Sequence, residues 1–483
     1  MRILRKIWQL FDDRTGISGI VGPVARHLVP PGTGWLYVFG SATLVAFIVQ
    51  VVTGIVLATA YIPATGDAYQ SLQFISHDAL MGNLLRGLHY FGASAMVLLI
   101  GIHTIRVFLM GVYKFPREMN WLTGAVLLAL TLGMGFTGQL LRWDQNAIWS
   151  VIVGAEQARR APLIGRTLAH FILAGDTVGG ATLSRFFAFH VFFLPALIFV
   201  LVGFHLYLVL HNGISEPPKV GRSVDRRTYR EWYHAYLKRE GRPFWPDVAW
   251  RDVVFGVVVI ICMLALAWIF GPPELGKPPD PTIIEAYPRP DWYLLWYFAL
   301  LALIPPQLET IVIIFAPLLF GLSLILLPFF ANQGERSPLR RPWAIAIVLF
   351  ALVMIGTLWR AGQEARWSPD FSAEPLPAQV IGARQGPVYE GAQLFHTKGC
   401  EACHAIANSG GRRGPDLSTV ADRLSREEMT IRILNGGTNM PAFAGNLTPD
   451  ALDALITFLS SRRRTASEAF PTTTAHSAKP QPK

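Results

Sequence analysis

LHYFGASAMVLLIGIHTIRVFLM (88–110) and FAFHVFFLPALIFVLVGFHLYLVL (187–210) are each apolar over a length that crosses a bilayer, and each carries two histidines inside it. In the first stretch they are His89 and His103, 14 apart; in the second they are His190 and His205, 15 apart. In an α-helix, 14 residues advance about 21 Å and turn about 320° past three full turns, returning nearly to the same face. Fifteen residues overshoot by about 60°, a mismatch that a bend could absorb, and Pro195 lies between the second pair to supply one.

A single histidine in a membrane helix is as readily a hydrogen-bond partner of its neighbour as a ligand. Four at matched spacing on two helices are another matter. Side by side, the helices place one histidine pair near each membrane face, and each gap suits an iron porphyrin with two axial imidazoles. Two haems stacked this way make an electron path across the membrane.

The rest of the chain agrees with that class. Of 483 residues, 52% are hydrophobic and only 15% charged, which describes a polytopic membrane protein with a soluble part attached. The net charge of +10 is not a nucleic-acid signal, because the basic residues fall mostly between apolar spans, where they control orientation. Seven spans are expected, at about 35–60, 88–110, 121–141, 187–210, 252–270, 308–330 and 343–360. The stretch DWYLLWYFALLALIPP (291–306) is short and ends in two prolines, so it reads as an interfacial helix. The N-terminal MRILRKIWQLFDDRT is charged and roughly amphipathic, with no signal-peptide pattern after it, and is expected on the inner membrane surface.

Lys114, Arg117, the run from Lys219 to Arg242, and Arg336, Arg340 and Arg341 fall on the N-terminal side of that topology. The opposite loops at 61–87 and 271–290 are poor in Lys and Arg, although 142–186 holds Arg159, Arg160 and Arg166. The N-terminus is therefore expected in the cytoplasm and the C-terminal part outside. His89 and His190 would then share the outer haem, and His103 and His205 the inner one. Gly40 and Gly54 in the first span, and Gly124 and Gly138 in the third, repeat the 14-residue period and let a flat ring or another helix approach the backbone. Arg86 and Arg106 lie three residues from a histidine, and Arg185 five before His190, placed to meet haem propionates or to snorkel.

Composition changes after about 361. A Pro- and Ala-containing linker is expected over 361–386, then VYEGAQLFHTKGCEACHAI with a CxxCH motif. Cys400 and Cys403 can add to haem vinyl groups, with His404 as the first axial ligand; CxxC alone could be a zinc or redox site. Gly414-Pro415, then Met440 in NMPAF, then an amphipathic helix at 449–461 favour a covalent haem with methionine as second ligand, where core packing is the alternative role for Met440. The tail after Arg464 is expected to be disordered.

With these pieces assembled, residues 1–360 resemble cytochrome b of the cytochrome bc complexes. The matching motifs are the four histidines, the flanking arginines, KFPRE (114–118), GQLLRWDQNAIWSVIVG (138–154) and PDWY (290–293). The spacing of 15 in the fourth span and the count of seven spans resemble the chloroplast and cyanobacterial bf branch. There the protein is split in two, whereas here both halves are joined through the basic loop. Residues 387–463 resemble a class I monohaem cytochrome c.

The resemblance implies an all-α chain. A four-helix dihaem domain covers 1–215, a basic connector 216–250, and a three-helix part 251–360. After the linker come a small all-α cytochrome c domain at 387–464 and a tail at 465–483. It implies a homodimeric quinol:cytochrome c oxidoreductase of a prokaryotic cytoplasmic membrane, with two haems b, one haem c and a Rieske iron–sulfur partner. Quinol would be oxidised outside, between WDQNAIW and PDWY, with Asp291 accepting a proton and Tyr293 positioning the quinol. Without the resemblance Asp291 reads as a cap of the helix that follows. Electrons would reach a quinone at the inner face near His211 and Arg222, and protons would move outward. The c domain either replaces the cytochrome f equivalent or supplements a further c-type cytochrome, ahead of a soluble or membrane acceptor.

Two departures stand out. Asp291 stands where the family usually has Glu; in the family the Asp form accompanies low-potential quinones, so the resemblance implies menaquinol. Val38 stands where the bf branch has a haem-binding cysteine, so no covalent haem is expected there. A dihaem anchor of a hydrogenase or formate dehydrogenase would have four or five spans and neither PDWY nor WDQ. A scaffold that merely tethers a cytochrome c would not need four intramembrane histidines.

Overall fold

The structure, a computed structural model, describes residues 2–279, 290–364, 375–410, 414–436, 440, 443–444 and 447–464; the expected tail at 465–483 and residues 365–374 of the expected linker lie outside them. The chain divides into a membrane unit, built from most of residues 1–365, and a C-terminal unit.

Seven helices of the described residues are long and apolar enough to span a membrane: Phe39–Ala60, Gly82–Leu109, Glu118–Leu140, Gly180–Asn212, Ala249–Phe270, Gln307–Phe330 and Pro342–Gln363. They are the seven expected from hydropathy. The apolar stretch at 291–306 forms only the nine-residue helix Leu295–Leu303, stopped where Pro305 and Pro306 remove backbone donors. The first five spans share a core that includes Ala46, Phe47, Met96, Leu127, Ile198 and Met263. Their other faces carry exposed Ile55, Phe199, Val200 and Ile269, and spans six and seven expose Phe320, Phe330 and Phe350. Apolar surface this continuous is stable only against lipid.

The alternation of sides is visible in contacts between loops. Leu28–Val29 pairs antiparallel with Arg242–Pro243, and Ser223–Val224 with Gly334–Glu335. The amide of Phe115 donates to the carbonyl of Asn332. The N-terminal segment and the loops after spans two, four and six therefore meet on one side. On the other side, Tyr69 donates to the carbonyl of Gly276 and the amide of Gln145 to that of Lys277. A span at 291–306 would break this pattern.

The cations counted towards orientation turn out to be struts. Lys114, Arg117, Arg336 and Arg341 are buried. Arg117 donates to the carbonyl of Gly213 (2.9 Å) and to Tyr229 (2.8 Å), and Arg341 donates to Tyr113 (2.9 Å). On the opposite side Arg159 pairs with Glu156 (2.7 Å) and Arg160 with Glu309 (3.0 Å), so two of the three arginines that weakened the charge asymmetry are neutralised.

The fourth span holds a local departure. It runs as an α-helix over Gly180–Ala188, a π-helical turn over Phe189–Phe193, and an α-helix over Leu194–Asn212. A π turn takes one more residue than an α turn. The extra residue of the 15-residue spacing is thus absorbed around His190, just before Pro195, rather than by a kink at the proline. Pro195 has no amide to offer the preceding turn, which makes that turn the place where the ladder widens.

In the C-terminal unit, helices Pro387–Thr397 and Pro449–Ser460 cross so closely at Gly391 that any side chain there would run into the carbonyl of Ala454. Ser425 and Glu428 form a capping box on helix Arg426–Asn435, and Thr448 caps the last helix. The core includes Phe395, Ile406, Met429, Ile433, Leu455 and Phe458. It also includes Leu376 and Ile381, so the last part of the stretch expected as linker is packed into this unit.

Candidate functional site

The four histidines fall on two levels of the bundle. The rings of His89 and His190 lie 6.2 Å apart, centroid to centroid, with planes at 77°. An edge-to-face aromatic pair has a similar separation. So have two imidazoles either side of one metal ion, since two nitrogen–metal bonds of about 2 Å each and two half-rings span that gap. The hydrogen bonds decide between them. Thr53 Oγ1 sits 2.9 Å from His89 Nδ1, and Thr137 Oγ1 3.1 Å from His190 Nδ1. Each hydroxyl gives its proton to the helix carbonyl four residues back, of Val49 (2.7 Å) and Gly133 (3.0 Å). The imidazoles must therefore donate from Nδ1, which fixes the tautomer and leaves Nε2 as a free base for a metal. At the second level, Thr123 holds His205 in the same way at 2.8 Å, and His103 lies within electrostatic range of His205.

The glycines explain how the rings fit. A Cβ on Gly138 would come within 2.6 Å of His190, on Gly40 within 3.0 Å of His103, on Gly54 within 3.2 Å of His89, and on Gly124 within 3.6 Å of His205. The flat ring that each glycine admits is thus an imidazole, one glycine per histidine. That sharpens the sequence expectation, in which any ring or helix might have approached.

The cations divide. Arg106 lies over the ring of Tyr37 at 4.8 Å, and its Nε is buried with no partner among the described residues. It suits an anionic group such as a propionate. Arg86 is already engaged, donating to Ser76 Oγ (2.9 Å) and to the carbonyl of Pro273 (2.6 Å). Arg185 lies on Gly180–Ala188, one turn before His190. Arg142, in the WDQ-containing stretch, was not singled out from sequence; its Nε and Nη2 are buried without hydrogen bonds among the described residues, and Asp144 lies 3.7 Å away. A signal existed in the arginine two residues before an acidic N-cap. Asp144 caps helix Gln145–Arg159 and accepts from the amide of Gly276 (3.1 Å), holding the loop after the fifth span.

The PDWY turn docks on spans two and three. Trp292 donates to Ser94 (3.2 Å), and the Tyr293 hydroxyl enters space that any side chain on Gly135 would fill. Tyr293 Oη donates to Asp291 Oδ2 at 3.2 Å. The helix that follows has no side-chain cap, so the carboxylate does not act as one. Burial pushes the Asp291 carboxyl up, while Arg142 and the Tyr293 hydrogen bond pull against it. The Tyr293 phenol is pushed up by burial and by the Asp291 charge.

On the side of the N-terminal segment, His211 is exposed and stacks on Tyr207, and Arg222 stacks at 4.0 Å over Trp232 with Nη1 buried and unpartnered among the described residues. No contact joins His211 to Arg222 in what is described. The buried carboxylate nearby is Glu216, paired with Arg336 and accepting from Tyr229 (2.8 Å).

In the C-terminal unit, Cys400, His404 and Met440 line one small apolar cavity with Phe395, Ile433 and Leu455. His404 Nδ1 donates to the carbonyl of Pro415 at 2.8 Å, and Gly414 gives the ring its room. Burial pushes the Cys400 thiol up to about 12. Glu401, inside the CxxCH motif, is buried and accepts from His396 (2.8 Å) and from the amide of Leu376 (3.2 Å), a tie that sequence reasoning missed.

Comparison with known proteins agrees with this geometry. Residues 94–278 match the family model described as cytochrome b(N-terminal)/b6/petB, and residues 279–371 that of cytochrome b(C-terminal)/b6/petD. The menaquinol:cytochrome c reductase cytochrome b subunit of Bacillus subtilis is 39% identical over 224 residues, which is 100% of that protein and 44% of this chain. This chain belongs to the cytochrome b family. Cytochrome b6 of Synechococcus elongatus is 37% identical over 214 residues, again 100% of its length and 44% of this chain. A solved structure described as a hyperthermophilic respiratory Complex III is 26% identical, with a TM-score of 0.61, covering 74% of this chain and 94% of that one. Residues 386–459 match a model described as cytochrome c oxidase, cbb3-type, subunit III. The cytochrome b family membership and the seven apolar helices make this an integral membrane protein, with the c-type match fused behind the cytochrome b part.

Proposed function

We propose that the chain is the fused cytochrome b and cytochrome c subunit of a quinol:cytochrome c oxidoreductase that couples quinol oxidation at the outer face to quinone reduction at the inner face and to outward proton movement. His89 with His190, and His103 with His205, would hold two haems b, and Cys400, Cys403, His404 and Met440 one haem c; bound there, these groups supply one-electron transfer across the membrane and out of it. The observation that carries the reading is the tautomer-fixed pair of His89 and His190 about one helical turn from the Asp291–Tyr293 pocket: on the helix Glu118–Leu140, Gly135 faces the Tyr293 hydroxyl and Gly138 faces His190.

The residues divide the work. A quinol hydroxyl must lose its proton as it is oxidised, and the half-buried Asp291 carboxylate is the acceptor, held in place by Tyr293. Arg106, with its unpartnered Nε, and Arg185 would neutralise haem propionates, and Arg86 would do so from beside its bonds to Ser76 and the Pro273 carbonyl. His211 and Arg222 serve the reduction site. The aspartate in place of glutamate, and the likeness to the Bacillus subtilis menaquinol enzyme, support menaquinol as substrate. A Rieske protein takes the other electron, and the fused c domain receives it directly or beside another cytochrome c. The complex is a homodimer in the cytoplasmic membrane with its N-terminus inside.

Purification in a gentle detergent, with pyridine haemochromogen spectra, tests this. Two non-covalent haems b and one covalent haem c per chain are expected, with a Rieske protein among the co-purifying subunits. A chain with haem c alone would overturn the proposal.

A further inference from the structure

The helix Gln145–Arg159 and the PDWY turn dock on the same end of the third span. A Cβ on Gly154 would come within 2.9 Å of Phe136, and Gln139 donates to Ser150 Oγ at 3.1 Å. Phe136 and Gln139 lie just past Gly135, which admits the Tyr293 hydroxyl. The helix therefore runs beside the Asp291–Tyr293 pocket.

It is held at both ends, to segments on either side of the PDWY turn in sequence. At its start, Asp144 accepts from the amides of Ala147 (2.8 Å) and Gly276 (3.1 Å), and the Gln145 amide donates to the carbonyl of Lys277 (3.0 Å). At its end, Arg160 pairs with Glu309 at 3.0 Å and donates to Thr310 Oγ1 at 3.4 Å, both in the first two turns of the helix Pro306–Phe330.

The two attachments differ in kind. Asp144 is buried, so its bonds are shielded from water and salt. Arg160 and Glu309 are each 33% exposed, and an ion pair that open to solvent is worth about 1 kcal/mol or less. One end is fixed, and the other opens at little cost. Around the weaker end the surface is apolar: Leu308 and Ile311, on either side of Glu309 and Thr310, and Leu303 before them are about half exposed. Tyr297, one turn past Tyr293, lies within electrostatic range of both Arg160 and Glu309, so the pair stands beside the helix that leads away from the pocket.

We propose that the Arg160–Glu309 pair is a latch on the quinol pocket: open, it lets a quinol enter sideways from the bilayer; closed, it holds the helix Gln145–Arg159 against the bound ring. The inference rests on the reading of Asp291 and Tyr293 as the quinol-oxidation site. Arg160 and Glu309 are positioning residues, since neither touches the reacting hydroxyl. A lipid-soluble quinol arrives through the membrane rather than through water, and an entry edged by apolar residues and closed by one half-exposed ion pair suits that route. The latch governs how tightly quinol is kept, not how fast it is oxidised once in place.

Steady-state quinol oxidation by the purified complex, with amide hydrogen exchange, tests it. Glu309→Gln should raise KM for quinol about fivefold, which is what about 1 kcal/mol supplies, with kcat within about twofold and both b haems retained. Wild-type KM should rise with added salt, and that of Glu309→Gln should not. Combining Arg160→Glu with Glu309→Arg should recover most of what either reversal loses alone. Exchange in Glu309→Gln should quicken at the end of the helix, over 155–160, and not at its start, over 145–150. Asp291→Asn is the contrast, since it should lower kcat and leave exchange at both ends unmoved. An unchanged KM in Glu309→Gln with b haems retained would overturn the proposal, as would a double reversal no better than the single ones. A wild-type complex that carries its haems and oxidises no quinol would sink the quinol reading itself and the latch with it, and the wild-type assay shows that before any variant is made.

Discussion

The two histidine levels share one plan and differ in tightness. At the His89/His190 level a Cβ on Gly138 would come within 2.6 Å of its ring, the shortest of the four such distances, and one on Gly54 within 3.2 Å, and both imidazoles are tied to threonine. At the His103/His205 level the same distances are 3.0 Å at Gly40 and 3.6 Å at Gly124, and His103 is untied among the described residues. The tight level sits beside the carboxylate–phenol pocket and on the π turn; the loose one lies towards Arg106, whose Nε is buried, and the basic connector. Repetition of a motif along two helices therefore does not give two equal sites. The neighbouring residue and the local helical pitch tune each one.

Several changes probe that contrast. The largest effect is expected from His205→Leu, which should remove one of two b haems, block quinone reduction and leave the c-haem spectrum intact. Unchanged b-haem content would defeat the ligand assignment. Next come the glycines. Gly138→Val should eliminate the haem at the tight level, because backbone and imidazole cannot both retreat, whereas Gly124→Ala should keep both haems. Equal loss from the two changes, measured by haemochromogen content, would erase the difference between levels.

Asp291→Asn should slow quinol oxidation about a hundredfold or more with both b haems retained. Burial raises the carboxyl, and the acceptor must be ionised, so the wild-type rate should rise with pH as the group titrates above its ordinary range, and the variant should lose that limb. A flat wild-type profile would count against proton acceptance there. The smallest effect is expected from Arg106→Gln. Removing a cation near the loose level should lower that haem's potential by about 1 kcal/mol equivalent, read by redox titration, and leave the tight level unmoved.

The halves of this picture were legible to different degrees. Helices dominate because lipid forces every backbone group to be paired within its own segment, so hydropathy alone places the seven spans. Histidine and glycine spacing gave the levels for the same reason: a helix of fixed pitch turns sequence distance into height. The 15-residue interval resisted, because pitch is not fixed where a π turn forms, and Pro195 marks the place without naming the device. Lys114, Arg117, Arg336 and Arg341 look like surface charge in a list of loops, yet they are buried against loop carbonyls contributed from far along the chain.

What the sequence by itself determined is whatever depends on local periodicity: span number, alternation of sides, the histidine levels, the CxxCH motif and its histidine. Only the tertiary structure decided which ring each glycine admits, that Asp291 meets Tyr293 rather than a helix end, that Glu401 ties Leu376 into the C-terminal unit, and that one histidine of four lacks an acceptor among the described residues. Those facts depend on which atoms of distant segments come within 3 Å or so of one another, and hydrogen bonds of that reach are set by packing between helices rather than by the order of residues along any one of them.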